Sequence, residues 1–514
     1  MSKMRLKKSK GTPAKLKGTP VPTPRMRTGV AGLDEILEGG LPPNRVYLVE
    51  GEPGTGKTTI ALQFLLEGVR LGEPCLYVTL SETKEELQSV ADSHGWSLDG
   101  FDIYELVPPE ESLKPETQYT IFHPSELELG ETTSAVLKEV ERIKPRRVVF
   151  DSLSEMRLLA HDALRYRRQI LALKQYMSGR QSTVILLDDK TSALHDLQVL
   201  SIVHGAIQLE HLAVEYGADR RRLRVIKLRG ARFHGGYHDF NIETGGVRIF
   251  PRLVAAGHSR EFPREAVSSD VPELDSLLGG GLDRGTSTLM MGPAGAGKSS
   301  LAAQFAAAAA ARGEHSTAFI FDETRETYIA RAAGIGTDIQ GYIDEGLITL
   351  QQVDPAELAP GEFADTVLRA VNDDGARVVI IDSLNGYLNA MPEERFLTIQ
   401  MHELLTYLNQ QGVVTILIMA QHGFLGTSME TPVDVSYLAD TVLMLRYFEA
   451  AGMVRRAISV VKKRSGAHEN TIREFNISPD GIRVGEPLTK FRGVLTGVPT
   501  FDGAAGALIK GVDD

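Results

Sequence analysis

Short apolar runs alternate along the chain with longer stretches in which apolar positions follow a helical period. The run RVYLVE (45–50) is typical of a buried strand, and TTIALQFLLEGV (58–69) behind it has the spacing of a helix. Such alternation of strand and helix is typical of a parallel sheet covered by helices. The pattern therefore predicts an α/β fold with mainly parallel sheets flanked by helices.

The alternation occurs twice. TGVAGLDEILEGGLPPNRVYLVEGEPGTGKTT begins at Thr28 and SDVPELDSLLGGGLDRGTSTLMMGPAGAGKSS at Ser269, an offset of 241 residues (269 − 28) that holds throughout both segments. A constant offset indicates an internal duplication. The predicted divisions are a disordered basic tail (1–27), a first lobe (28–252), a linker (253–267), a second lobe (268–490) and a C-terminal tail (491–514). In that last segment, LTGVPTFD (495–502) partly repeats the opening phrase of the lobes.

Each lobe carries the pattern G-x-x-x-x-G-K-[ST] between a strand-like run and a helical run, the order that a phosphate-binding loop requires. Glycines let the backbone wrap phosphates with its N–H groups at the start of a helix. Lys57 and Lys298 are predicted to reach the outer phosphates of ATP. The predicted ATP-binding residues of these loops are Gly51, Gly54, Thr55, Gly56, Lys57, Thr58 and Thr59, and Gly292, Gly295, Ala296, Gly297, Lys298, Ser299 and Ser300.

A Mg²⁺ site is predicted beside each loop. Thr58 and Ser299 offer hydroxyl ligands directly after the lysines. Asp151 closes the apolar run RRVVFD, and Asp382 closes RVVIID. An aspartate there can be only a helix cap, but paired with an upstream phosphate loop it is the expected second metal ligand.

Hydrolysis requires a carboxylate that orients and polarises the attacking water. Glu82 follows the run LYVTLS, and Asp322 and Glu323 follow AFIF. These acids could instead be solvated residues at helix starts, because Thr83 and Thr324 come next. Both repeats place an acid at the same point, which favours the catalytic interpretation.

Two basic pairs end apolar strands at matching places, Lys227 with Arg229 and Lys462 with Arg464. A surface pair of this kind is common. Its recurrence favours a cationic group that contributes to ATP binding at the γ-phosphate of a neighbouring copy, where positive charge promotes transfer. Such an arrangement requires a ring.

The formal net charge is −11, but residues 1–27 hold nine basic residues and no acid, which leaves −20 (−11 − 9) for the rest. The tail is either a solvated leader or a contact for nucleic acid or an acidic partner. The acidic body argues against a nucleic-acid-coating protein. Cys75 is the only cysteine, so a reducing cytoplasm is the expected location. No run of 18 apolar residues is present, so we expect no membrane association.

These motifs together resemble the KaiC family of RecA-like ATPases. Its marks are the doubled GLD…GGL…G-x-x-G-x-GK[ST], the KLRG run, and ADTVLMLRYFEAAGMVRRAISVVKKRSGAHENTIREFNIS, and the resemblance covers residues 28–500. It implies two tandem RecA-like P-loop NTPase lobes, slow ATP hydrolysis, and a homohexamer of two stacked rings with ATP at the subunit interfaces. It also implies small regulatory adaptor proteins as partners.

The resemblance implies an autokinase reaction on an adjacent Ser/Thr pair, which falls on Ser436 and Tyr437 in PVDVSYLADT. Ser436 is the candidate phosphosite; Tyr437 departs from threonine, so an ordered two-site cycle is not implied. The other interpretation is a serine beside a packed aromatic. In the first lobe, Ser81 and Glu82 stand where the family has two glutamates. Hydrolysis there is expected to be weaker, with nucleotide binding retained.

Another divergence concerns the strand after each predicted metal-binding aspartate. VVTILIMAQHG ends in Gln421 and His422, whereas TVILLDDK carries Asp188 and Asp189. Gln421 is either a sensor of the γ-phosphate or an ordinary polar residue at a turn.

Two other functional classes stay open. One is an ATP-dependent nucleic-acid-binding protein resembling RecA or RadA, which the lack of a cysteine cluster and of an aromatic, basic loop disfavours. The other is a scaffold that binds ATP without turnover.

Overall fold

The computed structural model describes residues 24–106, 124–160, 162–190, 196–214, 217–354, 356–389, 397–421, 437–450, 452–494 and 500–501. The chain divides into two compact units. The structure contains two nine-stranded sheets, one from each sequence repeat.

The first sheet has the strand order β3-β2-β4-β5-β1-β6-β7-β8-β9. Its strands are β1 (Val46–Gly51), β2 (Cys75–Thr79), β3 (Asp102–Glu105), β4 (Arg147–Asp151), β5 (Thr183–Asp189), β6 (Gly205–Leu212), β7 (Arg220–Leu228), β8 (His238–Glu243) and β9 (Gly246–Phe250). The helices of this repeat are α1 (Leu33–Ile36), α2 (Lys57–Arg70), α3 (Lys84–Ser93), α4 (Pro124–Ile143), α5 (Leu153–Ala160), α6 (Ala163–Ser178) and α7 (Asp196–Ile202).

The second sheet repeats the order as β14-β13-β15-β16-β12-β17-β18-β19-β20. The strands of this part of the chain are β10 (Ala266–Val267), β11 (Leu282–Asp283), β12 (Ser287–Gly292), β13 (Ser316–Ile320), β14 (Ile348–Gln352), β15 (Val378–Asp382), β16 (Val414–Ala420), β17 (Thr441–Ala450), β18 (Met453–Lys463), β19 (Ile472–Ser478), β20 (Gly481–Pro487), β21 (Phe491–Arg492) and β22 (Thr500–Phe501). The helices are α8 (Pro272–Leu277), α9 (Lys298–Ala311), α10 (Arg325–Ala333), α11 (Ile339–Asp344), α12 (Pro360–Asn372), α13 (Leu384–Asn389) and α14 (Leu397–Gln410).

Six strands of each sheet run parallel, from β3 to β6 and from β14 to β17 along the sheet order. Antiparallel pairing follows at the other side, between β7 and β8 and from β17 through β20. The prediction of two mainly parallel sheets flanked by helices is confirmed. Carboxyl ends of parallel strands meet at one edge, which is where α/β proteins bind their ligands.

The central strands are buried along their whole length, β1, β4, β12 and β15 among them. Helices cover both faces of such strands, which is why the sequence shows continuous apolar runs rather than alternation. Helix α9 buries alanines on nearly all of its surface, because alanine is small enough for close packing between neighbouring elements. In the part of the chain that the structure describes, no helix combines the length and apolar character needed to span a bilayer.

Apolar residues at both ends of the described chain pack against the fold. Met26 is 6% exposed and pairs with Leu41, so residues 24–27 are packed rather than disordered. Val494 is 2% exposed, and the ring of Phe491 lies against Phe448. The apolar side chains of Met26 and Val494 therefore anchor these ends. Residues 1–23 and 502–514, and 495–499 of the partial third repeat, lie outside the described residues.

Candidate nucleotide-binding sites

The first phosphate loop joins the end of β1 to the start of α2. Gly54 and Gly56 have φ angles of 80° and 91°, a conformation that side-chain-bearing residues rarely adopt. Gly56 is the residue before the first turn of α2, so the free N–H groups of this helix end face the loop. The glycine spacing therefore serves the backbone geometry expected for phosphate binding.

Lys57 lies inside this loop. Its Nζ donates to the carbonyl oxygens of Gly51 and Glu52, each at 2.9 Å. It also forms a 2.8 Å salt bridge with Asp189 Oδ1. The sequence did not predict this ion pair, because the two residues stand on separate strands that only the sheet order brings together.

The predicted metal ligands of the first lobe lie together. The Thr58 hydroxyl donates to Asp151 Oδ2 at 3.3 Å. The Tyr77 hydroxyl, which sequence reasoning missed, donates to the same oxygen at 2.5 Å. Burial raises the pKa of Asp151 above its usual range. A buried carboxylate beside a hydroxyl is the kind of donor set that a Mg²⁺–nucleotide complex uses.

Glu82 is held just outside the start of α3. Its N–H donates to Thr79 Oγ1 at 2.9 Å, and that hydroxyl donates to the Glu82 carbonyl at 2.7 Å. Thr83 caps α3, as the competing interpretation required. Glu82 is nevertheless not a solvated cap residue, since its Oε2 is buried and has no hydrogen-bond partner among the described residues. Burial first, and the Asp151 charge second, raise the pKa of Glu82 to about 7.

In the second lobe, the predicted residues surround a cavity of about 440 Å³. The predicted residues that line it are Gly295, Gly297, Lys298, Ser299, Ser300, Asp322, Glu323 and Asp382. Arg331, Ser383, Arg456 and Ile477 also line it and were not predicted. The wall thus combines backbone N–H groups, a lysine, hydroxyls and carboxylates, which suits a nucleotide with its metal ion.

Lys298 Nζ donates to the carbonyl oxygens of Gly292 and Pro293, at 2.9 and 2.8 Å. Burial lowers the pKa of Lys298 to about 8. Burial also raises the pKa of Asp382 to about 6, against the opposing effect of a hydrogen bond from Ser299. Asp382 Oδ2 is buried without a hydrogen-bond partner among the described residues, so the position has an oxygen to offer a cation.

The carboxylates differ between the lobes. Glu323 forms a 2.5 Å salt bridge with Arg331, which stands on α10. Asp322 accepts a hydrogen bond from the Ser383 hydroxyl. The offset of 241 residues places Val90 where the second lobe has Arg331, so Glu82 lacks this basic neighbour. Position 331 lies eight residues after Glu323, and a comparison of the repeats could have found it.

The strand register corrects one comparison made from the sequence. Gly51 pairs with Asp189 in the first sheet, and Gly292 pairs with Ala420 in the second. Asp189 therefore corresponds to Ala420, and Gln421 corresponds to Lys190 rather than to an aspartate. Sequence reasoning paired these segments by their polar ends, which ignored the register.

Gln421 is 9% exposed, and neither its side-chain nitrogen nor its oxygen has a hydrogen-bond partner among the described residues. Its N–H donates to the Gly292 carbonyl at 3.0 Å, which places it beside the phosphate loop. His422 lies outside the described residues.

The basic pairs lie at the opposite end of each sheet from the phosphate loop of their own lobe. Arg464 N donates to the Asp440 carbonyl, and Asp440 N donates to that of Ser287, the first residue of β12. Arg229 is linked through His204 to Val46, the first residue of β1, in the same way.

The side chains of the basic pairs contact backbone carbonyls. Lys462 donates to Ala439 and Lys227 to Leu200. Arg229 donates to Ser201, and Arg464 to Tyr437. The structure therefore does not bring these cations to the loops of their own lobes.

Ser436 lies outside the described residues. Tyr437 is 52% exposed, which does not favour the alternative of a packed aromatic beside the serine. The serine is followed by a tyrosine that contacts solvent.

Two phosphate loops, each followed by a helix and faced by an aspartate at the end of a parallel strand, define a tandem P-loop NTPase of the RecA type. The family model described as "ATPase: KaiC" matches residues 26–254 and 267–489. The chain belongs to the KaiC family.

Three relatives illustrate the similarity, each named circadian clock oscillator protein KaiC. Those of Synechococcus elongatus and Picosynechococcus sp. are 28% identical over 481 residues, which cover 93% of this chain and 92% of each relative. That of Parathermosynechococcus lividus is 28% identical over 483 residues, which cover 93% of this chain and 88% of the relative. The chain therefore resembles these proteins across nearly their whole length.

Proposed function

We propose that this protein is a regulatory ATPase that binds ATP with Mg²⁺ in both lobes, hydrolyses it slowly, and assembles as a homohexamer. The observation that supports it best is the second-lobe cavity, which the loop lysine Lys298, the aspartate Asp382 and the carboxylates Asp322 and Glu323 all line. We include serine autokinase activity at Ser436 and regulation by small adaptor proteins. The clock role in the relatives' names is not carried over, because Tyr437 replaces the implied threonine.

The residues present fit a magnesium ion. In each lobe one hydroxyl and one buried carboxylate, Thr58 with Asp151 and Ser299 with Asp382, would hold it. Mg²⁺ bound there would neutralise charge on the outer phosphates of ATP. Because Mg²⁺ usually keeps several waters and phosphate ligands, two protein ligands are enough.

Residues of the chain bind the phosphates and orient the attacking water. The loop N–H groups and the lysine bind the phosphates, and Glu82 or Glu323 orients the attacking water. In the second lobe, Arg331 pairs with Glu323 and fixes its direction. In the first lobe, Glu82 is partly protonated near neutral pH, which supports slower hydrolysis there.

The distant basic pairs support the ring. Since Arg464 lies beside the first residue of β12 and the phosphate loop follows the last, Arg464 has no route to its own nucleotide. Arg464 can instead contact the nucleotide bound to a neighbouring copy. Each site would then be completed by the next subunit, as in NTPases whose arginine acts in trans.

The deciding experiment supplies γ-labelled ATP and Mg²⁺ to the purified protein and separates free phosphate from protein-bound label. We expect slow release of free phosphate, and protein-bound label that Ser436→Ala removes. Free phosphate without protein label would leave an ATPase and exclude the autokinase. ATP-dependent assembly with no turnover would instead identify a scaffold. Turnover that rises strongly with added DNA or RNA would identify a nucleic-acid machine.

First-lobe hydrolysis is expected to depend on pH through Glu82. In a Lys298→Ala chain, kcat/KM should rise about tenfold per pH unit below pH 7 and level off above it, because only the ionised carboxylate can accept a proton. The measurement is phosphate release across the neutral range. The low residual rate of Glu82→Gln should not rise with pH in this way, which separates the effect from titration of ATP. A profile without a step would show that Glu82 is not the base.

A further inference from the structure

The phosphate-loop lysine of the first lobe has a carboxylate partner, whereas its counterpart has none among the described residues. Lys57 Nζ contacts Gly51 O and Glu52 O at 2.9 Å each and Asp189 Oδ1 at 2.8 Å. These contacts use all three ammonium protons. The Lys57 side chain is 9% exposed and that of Asp189 30%, so salt screens the pair only partly.

The second lobe offers a matched comparison. Lys298 makes the two equivalent carbonyl contacts. No described residue forms a salt bridge with it. The strand register sets Ala420 where the first lobe has Asp189, and Ala420 lines the second-lobe cavity. A side chain at this place therefore faces the phosphate site.

The backbone at both strand ends is held in the same way. The N–H of Asp189 donates to the Ser154 hydroxyl at 3.2 Å. The N–H of Ala420 donates to Asn385 Oδ1 at 2.7 Å. Ser154 and Asn385 occupy matching positions after the metal-side aspartates. The two lobes therefore share the backbone arrangement at this position and differ in the side chain, a carboxylate at Asp189 and a methyl group at Ala420.

We propose that Asp189 is a built-in counter-ion of the first lobe, which occupies Lys57 until the phosphates of the nucleotide displace it. Binding must break this ion pair, and the released carboxylate then faces phosphates of the same sign of charge. The first lobe is consequently the weaker nucleotide site. This inference rests on the proposed function, because it requires nucleotide binding at the first loop.

The test measures binding of the Mg²⁺ complex of β,γ-imido ATP to the full chain by calorimetry, in a Lys298→Ala background so that the first lobe is observed. Asp189→Asn is expected to tighten binding about tenfold, which corresponds to about 1.4 kcal/mol. Asp189→Glu, which retains a carboxylate, should keep the weaker affinity of the wild-type residue. A misfolded variant would lose affinity, so a gain cannot come from structural damage.

The reciprocal variant places the carboxylate in the second lobe. In a Lys57→Ala background, Ala420→Asp is expected to weaken binding about tenfold. Measurable and equal affinity for wild-type Asp189 and Asp189→Asn would overturn the inference while leaving the proposed function intact. Absence of binding with either residue would overturn the proposed function of the first lobe and the inference with it.

Discussion

Chains with Lys298→Ala and chains with Arg464→Ala are each expected to lose second-lobe hydrolysis by about 10³-fold, and mixing them is expected to restore part of it. Lys298 belongs to the phosphate loop at the end of β12. Arg464 is connected to the start of that strand. The two ends of Ser287–Gly292 are roughly 17 Å apart at about 3.3 Å per residue, so one chain cannot supply both groups to one ATP.

In the proposed ring, mixing the two chains creates some interfaces that join an intact loop from one chain to an intact arginine from the next. Only a site built in trans can recover in this way. The measurement is single-turnover phosphate release, with Glu82→Gln in every chain so that first-lobe hydrolysis is silent. Arg483→Ala removes an exposed arginine of the same part of the chain and should leave the rate unchanged. If the mixture releases phosphate no faster than the two variants do separately, Arg464 is not the group that acts in trans.

Arg147→Met is expected to destabilise the first lobe by about 3–5 kcal/mol, because it leaves the buried partners of the guanidinium without their hydrogen bonds and ion pair. Arg147 is 0% exposed on β4. Its guanidinium donates to Glu73 Oε2 at 2.6 Å and to the carbonyls of Arg27 and Phe64 at 2.7 and 2.8 Å. It also lies 4.7 Å from the centre of the Phe64 ring. The arginine therefore ties the start of the lobe to its sheet.

Chemical unfolding followed by circular dichroism would show the loss as a lower midpoint for the first-lobe transition. The second-lobe transition serves as an internal reference. The second lobe has Val378 at the equivalent place in β15, so it does not use an arginine there. The substitution in the first lobe should therefore leave the second-lobe transition unchanged. Arg70→Met removes a 61% exposed arginine paired with Glu67 and should leave the transition nearly unchanged, because solvent screens an exposed pair. Equal effects of the two substitutions would mean that the buried network does not stabilise the fold.

Much of this protein was readable from local sequence. The repeat offset, the apolar runs and the glycine spacing predicted two α/β lobes, and the family match confirmed them. The structure places Lys57 and Lys298 inside their loops and sets Asp151 and Asp382 beside Thr58 and Ser299. Such features are predictable because they follow from periodicity and from the backbone conformation of a few glycines, both of which act over short stretches.

The difference in charge pairing between the lobes was decided by tertiary structure. The Lys57–Asp189 pair joins residues 132 positions apart (189 − 57), and the register that aligns Asp189 with Ala420 exists only in the sheet. The unpartnered oxygen of Glu82 depends on what surrounds it in space. By itself, the sequence determined the fold class and the phosphate loops, whose signals are local. Charge pairing, burial and the position of the basic pairs came from strand order, because long-range contacts leave no periodic trace in one chain.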